Sequence, residues 1–257
     1  MDSKRGEKMI LYFSAEGNSA YAAKKIAAAM HDHAVSMEKC GPVLSLQEDE
    51  KLGIVTPTYF WQLPSFVRAF LERLQLAGSH QSPYVFLVAS YGTTPGFTGE
   101  DARRLLAARG IHMSSAFSVH MPDTWTPVFD LHDPEKVKKI NQKADAEIER
   151  VIAKIAAHIT GNQMARRIPY LMHRLADPAY GKARRTSHFH VEDTCIGCHL
   201  CERNCPVQAI QIKDEKPVWV KEQCVLCLRC LHHCPKFAIQ YGDGSTKKHG
   251  QYHHPDI

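Results

Sequence analysis

Short apolar runs alternate with stretches of helical periodicity through the first 160 or so residues. Met9-Ile10-Leu11-Tyr12-Phe13 is unbroken and apolar, the pattern of a parallel strand buried on both faces. A small-residue turn, 14–19, separates it from an Ala-rich helix expected over Ala20 to Met30. The alternation then repeats. Strand-like runs at 53–57, 84–89 and 115–119 are followed by amphipathic stretches at Pro64 to Leu76, Gly99 to Arg109 and Pro134 to Ile159. Val43 to Leu46 is a weaker candidate for a further strand. Strands and helices in strict alternation predict a parallel, doubly wound α/β sheet.

After residue 187 the pattern changes. Eight of the nine cysteines fall between 195 and 234, in two runs that share one spacing. Cys195-x2-Cys198-x2-Cys201-x3-Cys205-Pro206 is followed by Cys224-x2-Cys227-x2-Cys230-x3-Cys234-Pro235. This is the bacterial ferredoxin run, present twice. Three cysteines two residues apart sit on one tight turn and reach three corners of an iron–sulfur cube. The fourth follows in a short helical segment and points away, so it serves the other cube. The expected ligand sets are therefore Cys195, Cys198, Cys201 and Cys234 for one [4Fe–4S] cluster, and Cys205, Cys224, Cys227 and Cys230 for the other. Structural zinc uses one cysteine pair and a distant second pair, which these unbroken runs do not match. Between the runs, 209–212 and 217–220 read as two short strands around a charged turn, and 237–240 repeats the first of them. The predicted layout is an α/β domain at 1–160, a basic linker at 161–187 and a small α+β cluster module at 188–257.

In open parallel sheets ligands bind beyond the carboxyl ends of the strands, at the switch point. Three loops of this chain belong there. Ser14, Ala15, Glu16, Gly17, Asn18 and Ser19 open directly into a helix, so their N–H groups can cradle a phosphate at the positive end of its dipole. Thr56, Pro57, Thr58, Tyr59, Phe60 and Trp61 offer flat aromatic faces. Ser90, Tyr91, Gly92 and Gly96 lie in a loop whose small residues let backbone approach a planar ligand. A phosphate cradle with aromatic and glycine-rich walls describes an FMN site. Tyr59 and Trp61 either stack on the flavin or pack between domains, and Tyr91 either touches the ring or is a surface tyrosine.

The first loop resembles the phosphate loop of flavodoxins. The whole chain resembles the flavodoxin–ferredoxin fusions of the EFR1 family. The resemblance rests on Tyr12-Phe13-Ser14 with Gly17-Asn18-Ser19, on Pro57-Thr58-Tyr59-Phe60-Trp61 with Leu63-Pro64, on Met121-Pro122-Asp123, on both cysteine runs and on Tyr252-His253-His254-Pro255. It implies a flavodoxin-like sheet of strand order 2-1-3-4-5, a ferredoxin-like 2[4Fe–4S] domain, and FMN as a cofactor. One position departs: flavodoxin loops commonly carry Thr where this chain has Glu16. A carboxylate there repels the phosphate unless it points to solvent.

Composition narrows the reading further. Lys plus Arg exceeds Asp plus Glu by 32 to 27, a net +5 that is too weak to argue for nucleic acid. Cluster thiolates of about −8 and cube cores of about +4 bring the loaded protein near neutrality. The apolar runs fall far short of the ~20 residues that span a bilayer, and MDSKRGEKMILYF has no signal-peptide pattern. The expectation is a cytoplasmic protein without membrane insertion. Cys40, before Gly41-Pro42, reads as a plain free thiol, and the 16 histidines, among them His199, His232 and His233, as solvated surface groups. Arg166, Arg167, Arg174, Lys182, Arg184 and Arg185 make the linker basic, either to dock an acidic redox partner or as a solvated connector. No nucleophile–base pair and no Gly-x-Gly-x-x-Gly fingerprint is legible. The expected function is electron transfer between the clusters and FMN in anaerobic metabolism, with redox proteins as partners. The alternative is an FMN-dependent reductase of a small acceptor, with 121–126 as the place for a proton donor.

Overall fold

The computed structural model describes residues 9–46, 51–77, 83–164 and 168–257. Six parallel strands form the central sheet: β1 (Met9–Tyr12), β2 (His33–Ser36), β4 (Lys51–Pro57), β6 (Tyr84–Tyr91), β7 (Met113–His120) and β8 (Gly161–Asn162). Their spatial order is β2-β1-β4-β6-β7-β8. Counted within the sheet alone, this is the expected 2-1-3-4-5 with one two-residue strand added at the edge. The second strand, however, is His33–Ser36, paired in parallel with β1. Val43–Ser45 (β3) instead pairs with Gln75–Ala77 (β5) in a separate small ladder. β5 also corrects the helix expected over Pro64 to Leu76, which ends at Leu71.

Alternate side chains of the central strands enter two cores. Leu11, Ile54 and Leu87 pack with Val67, Leu71, Ala102 and Leu106 on α2 (Ser65–Leu71) and α3 (Thr98–Ala107). Ile10, Val55, Phe86, Val88 and Phe117 pack with Ala22, Ile26, Ile148 and Ile155 on α1 (Asn18–Ala29) and α4 (Pro134–Ala156). Residues one apart thus serve opposite faces, as the period of two requires. Asp133 caps α4, accepting from the N–H groups of Glu135 and Lys136 at 3.0 and 3.1 Å, with Pro134 in the first turn.

The segment expected as a connector carries β8 and helix α5 (Tyr170–Ala183); Arg166 and Arg167 lie outside the described residues. Beyond it, β9 (Phe189–Val191) pairs antiparallel with β12 (Ile239–Tyr241), and β10 (Ile210–Lys213) with β11 (Lys216–Trp219). Short helices α6 (Leu200–Arg203) and α7 (Arg229–His232) follow the two cysteine turns, and α8 (Ser245–His249) precedes the tail. The internal repeat is visible in the backbone. Gly197 and Leu226, His199 and Leu228, and Gln208 and Phe237 occupy matching places in the two halves, and all six have φ between 48° and 63°. Among the described residues no helix is long and apolar enough to cross a membrane.

Candidate flavin and iron–sulfur sites

The strand ends bring the three predicted loops together. Ser19 Oγ meets Ser90 Oγ at 2.8 Å, the N–H of Thr58 donates to the Ser90 carbonyl at 2.9 Å, and Thr58 Oγ1 meets Thr98 Oγ1 at 3.1 Å. Between the loops lies a cavity of about 720 Å³, within the range of cofactor sites. Ser14, Ala15, Glu16, Asn18, Ser19, Pro57, Thr58, Tyr59, Phe60, Trp61, Ser90, Tyr91 and Gly92 all line it.

Three predicted residues do not line it. Thr56 is fully buried beneath, its hydroxyl on the Pro57 carbonyl at 3.0 Å. Gly96 packs against the Trp61 backbone, and Gly17 faces the C-terminal tail. Gly17 sits at φ 102° and leaves α1 without a side-chain cap at its N-terminus. An uncapped first turn of a 12-residue helix at the cavity edge suits the phosphate of FMN, and the aromatic loop suits its ring.

The side chain of Asn18 is engaged by protein groups on both its atoms. Its Nδ2 donates to the Pro122 carbonyl at 3.1 Å and its Oδ1 accepts from the Tyr252 hydroxyl at 2.8 Å. Glu16 does not face solvent. It is 6% exposed; Thr124 Oγ1 donates to its Oε2 at 3.4 Å and its Oε1 has no hydrogen-bond partner. Burial pushes its carboxyl from 4.5 up to about 8, against the pull of Arg229 and Thr124. At neutral pH the side chain is therefore a neutral acid, and the repulsion expected of a carboxylate is absent. Asp123, in the flagged 121–126 segment, also lines the cavity, and burial raises its carboxyl against a hydrogen bond from the Trp125 N–H at 3.1 Å.

The eight cysteines surround two separate cavities. Cys195, Cys198, Cys201 and Cys234 line one; Cys205, Cys224, Cys227 and Cys230 line the other. These are the crossed sets. Among the described residues no three His, Cys, Asp or Glu side chains converge as ligands of a single ion; a cube instead needs its thiols spread over four corners. Desolvation pushes the thiols of Cys201 and Cys224 up to about 11, so thiolates at these places need an adjacent cation, which cluster iron supplies. Backbone N–H groups donate to ligand sulfurs at matching positions, Ala209 to Cys205 at 3.2 Å and Ala238 to Cys234 at 3.3 Å. Such bonds tune cluster potential.

The cluster module also forms part of this cavity. Leu226, Cys227 and Leu228 line it, as do Met172, Leu175, Ala176 and Ala179 of α5 and Val128 and Phe129. Phe60 packs on Tyr180 at 5.5 Å and on Trp125 at 5.6 Å, and Trp125 on Tyr241 at 5.2 Å. The Tyr180 hydroxyl donates to the Val225 carbonyl at 2.7 Å and accepts from the Ser65 N–H at 3.2 Å. The aromatic loop thus packs between domains while still lining the cavity. Of the flagged histidines only His199 is exposed. His232 is 1% exposed, with Nε2 on the Thr124 carbonyl at 3.0 Å, and His233 Nε2 lies 3.0 Å from the Ala15 carbonyl. A carbonyl only accepts, so both Nε2 atoms carry the proton. Desolvation pushes both imidazoles down to about 4 and keeps them neutral.

A flavodoxin-like sheet with this cavity, joined to two four-thiol cavities, defines an electron-transfer flavo-iron–sulfur protein. The chain belongs to the flavodoxin domain family: residues 9–150 match the Flavodoxin domain, and residues 194–249 match the 4Fe-4S dicluster domain. Its cofactors are accordingly FMN and two [4Fe–4S] clusters, and its partners are redox partners. No curated protein matches the chain. Among solved structures it is similar to a flavodoxin of Streptococcus pneumoniae TIGR4, with 17% identity over 56% of this chain and 97% of that one, at a TM-score of 0.33. It is also similar to a protein from Bacteroides uniformis ATCC 8492 described as a flavoprotein, with 18% identity over 54% and 100% of the two chains and a TM-score of 0.32.

Proposed function

We propose that this chain is a linear relay, in which electrons pass between the Cys195 cluster, the Cys205–Cys230 cluster and the flavin. The observation that carries it is the wall of the flavin cavity, where Leu226, Cys227 and Leu228 stand together. Cys227 belongs to the second ligand set, and no residue of the first set lines that cavity. Three of the first set, Cys195, Cys198 and Cys201, lie on the turn that carries Ile196, 59% exposed, and the exposed His199, where a redox partner has access.

FMN, when bound, exchanges one or two electrons with protons, and each cluster exchanges one electron. The residues set distance and exclude water. Leu226 and Leu228, 4% and 3% exposed, flank Cys227 and keep solvent from the gap. Ser14 to Ser19 hold the phosphate end, Pro57 to Trp61 and Ser90 to Gly92 the ring, within an FMN domain of 1–160 joined through 161–187 to a cluster module of 188–257. This reading fits a cytoplasmic protein of anaerobic metabolism.

A second reading, reduction of a small acceptor, is favoured by the extension of the cavity past the flavin loops to Val128, Phe129 and the α5 residues Met172 and Leu175, with Asp123 as the nearby acid.

Rapid mixing with a one-electron donor tests the relay. Flavin reduction should follow cluster reduction at a rate independent of protein concentration. A rate proportional to concentration means transfer between molecules and ends the single-chain relay.

A further inference from the structure

We propose that the cluster module and the C-terminal tail position the phosphate loop from behind, so that Arg229, His233 and the tail at Tyr252–His254 determine how well the site holds a phosphate. The inference rests on the FMN reading of the cavity. Three consecutive carbonyls of the loop each accept a hydrogen bond from the C-terminal part. Arg229 Nη2 donates to the Ser14 carbonyl at 2.6 Å, His233 Nε2 to the Ala15 carbonyl at 3.0 Å, and the His254 N–H to the Glu16 carbonyl at 2.8 Å. The Tyr252 hydroxyl holds the Asn18 side chain at 2.8 Å. Among the described residues no element of the flavodoxin-like domain donates to these three carbonyls.

In a trans peptide the C=O and the N–H of one unit point in opposite directions, and the described residues include no cis peptide. Fixing the carbonyls of Ser14, Ala15 and Glu16 therefore aims the N–H groups of Ala15, Glu16 and Gly17 the other way. Ser14, Ala15 and Glu16 line the cavity, whereas Arg229, His233 and His254 do not. The three donors lie on the far side of the loop, and the N–H groups turn toward the cavity.

The posts are themselves rigid. Arg229 is 12% exposed at its side chain, is paired with Glu38 at 2.6 Å and donates to the Asn204 carbonyl at 2.9 Å. His254 stacks on Tyr21 with ring centroids 4.0 Å apart. A Cβ on Gly17 would lie 2.7 Å from His254 Cβ, so the tail closes on the loop without a gap. By linkage, a module that favours phosphate binding is itself steadied by bound FMN.

The test uses the full-length, cluster-loaded protein, stripped of flavin under anaerobic conditions and titrated with FMN and with riboflavin by fluorescence quenching. His233→Ala should weaken FMN about tenfold, the equivalent of ~1.4 kcal/mol, and riboflavin less than twofold, at unchanged iron content. His233→Gln, which keeps an N–H donor, should recover most of the FMN affinity. Tyr252→Phe, remote in sequence from every cysteine, should shift the FMN-to-riboflavin ratio in the same direction, and it decides the matter if His233→Ala loses iron. Equal losses for both flavins, or an unchanged ratio in Tyr252→Phe, would overturn the proposal. A wild-type protein that binds both flavins equally would overturn the phosphate reading of the loop, and this inference with it.

Discussion

Glu16→Gln isolates one buried proton. The wild-type carboxyl sits at about 8 rather than 4.5 because burial outweighs the pull of Arg229, of the Thr124 hydroxyl and of its own backbone N–H, with Oε1 unpaired. Arg229 faces it with positive charge; Tyr59, Tyr252 and Cys227 face it as groups able to turn negative. Between about pH 4.5 and 8 the native protein keeps a proton that the unfolded chain has released. More protons bound in the native state means that stability falls as pH rises, by about 1.4 kcal/mol per pH unit. The loss begins near the unfolded value and is complete once pH passes about 8, reaching on the order of 5 kcal/mol. Gln fills the same space and cannot ionise. The wild-type minus variant difference in unfolding free energy, measured anaerobically on flavin-free protein, should therefore drop by about 2–3 kcal/mol between pH 6 and pH 8. Infrared difference spectra over the same range should show a protonated carboxyl band that Glu16→Gln lacks. Below pH 7 the two proteins should bind FMN within a factor of about two, since both side chains are neutral donors. A flat stability difference, or FMN binding at least tenfold tighter in Glu16→Gln at pH 6, would show that the side chain is already a carboxylate.

Cys205→Ala should remove the cluster signal of the Cys224, Cys227 and Cys230 set and leave that of Cys195 intact in electron paramagnetic resonance; loss of the Cys195 signal instead would break the crossed assignment. Gly17→Val meets both a φ of 102° and a contact 2.7 Å from His254 Cβ, so it should cost about 1–3 kcal/mol of strain and weaken FMN, an effect that titration would reveal as absent if the turn is tolerant. Tyr180→Phe takes away the hydroxyl shared by Ser65 and Val225; the expected cost is about 1–3 kcal/mol, read as a lower denaturation midpoint, and an unchanged midpoint would mean that this bridge carries no stability.

Legibility in the sequence followed burial. β1, β4 and β6 are enclosed on both faces and print as apolar runs, so they stood out. β2 is an edge strand, His33-Ala34-Val35-Ser36, with no fully buried side chain, and its composition hides it. The apolar spacing of the preceding helix runs on through Leu74 and Leu76, so Gln75 and Leu76 read as helical; the strand state of Gln75–Ala77 depends on pairing with β3, a partner no local pattern announces. The cysteine runs were legible because covalent ligation fixes spacing, and each set reappears intact around its own cavity. The posts behind the phosphate loop were not. Arg229 and His233 lie 215 and 218 residues from the carbonyls they meet, and a histidine in a cysteine run looks the same in sequence whether it faces water or another domain. The neutral state of His233 follows chiefly from the desolvation that docking imposes.

Docking also explains the aromatic loop. Tyr59, Phe60 and Trp125 border the cluster module core formed by Tyr180, Leu226, Leu228 and Tyr241. Without that module they would leave an apolar patch at the mouth of the flavin site, the kind of surface that invites association with other proteins. Chain connectivity does not force the contact, since 27 residues from 161 to 187 could extend to roughly 90 Å. What fixes it is α5, whose Ala176 and Tyr180 are buried at 4% and 3% exposure and whose Tyr180 ties the start of α2 to the loop before Cys227. The connector is thus a strut. One helix closes the side of the cavity and anchors the turn that bears Cys227. Tunnelling falls steeply with distance, so in the proposed relay a rigid strut would serve the electron as Arg229, His233 and the tail would serve the phosphate, by fixing geometry.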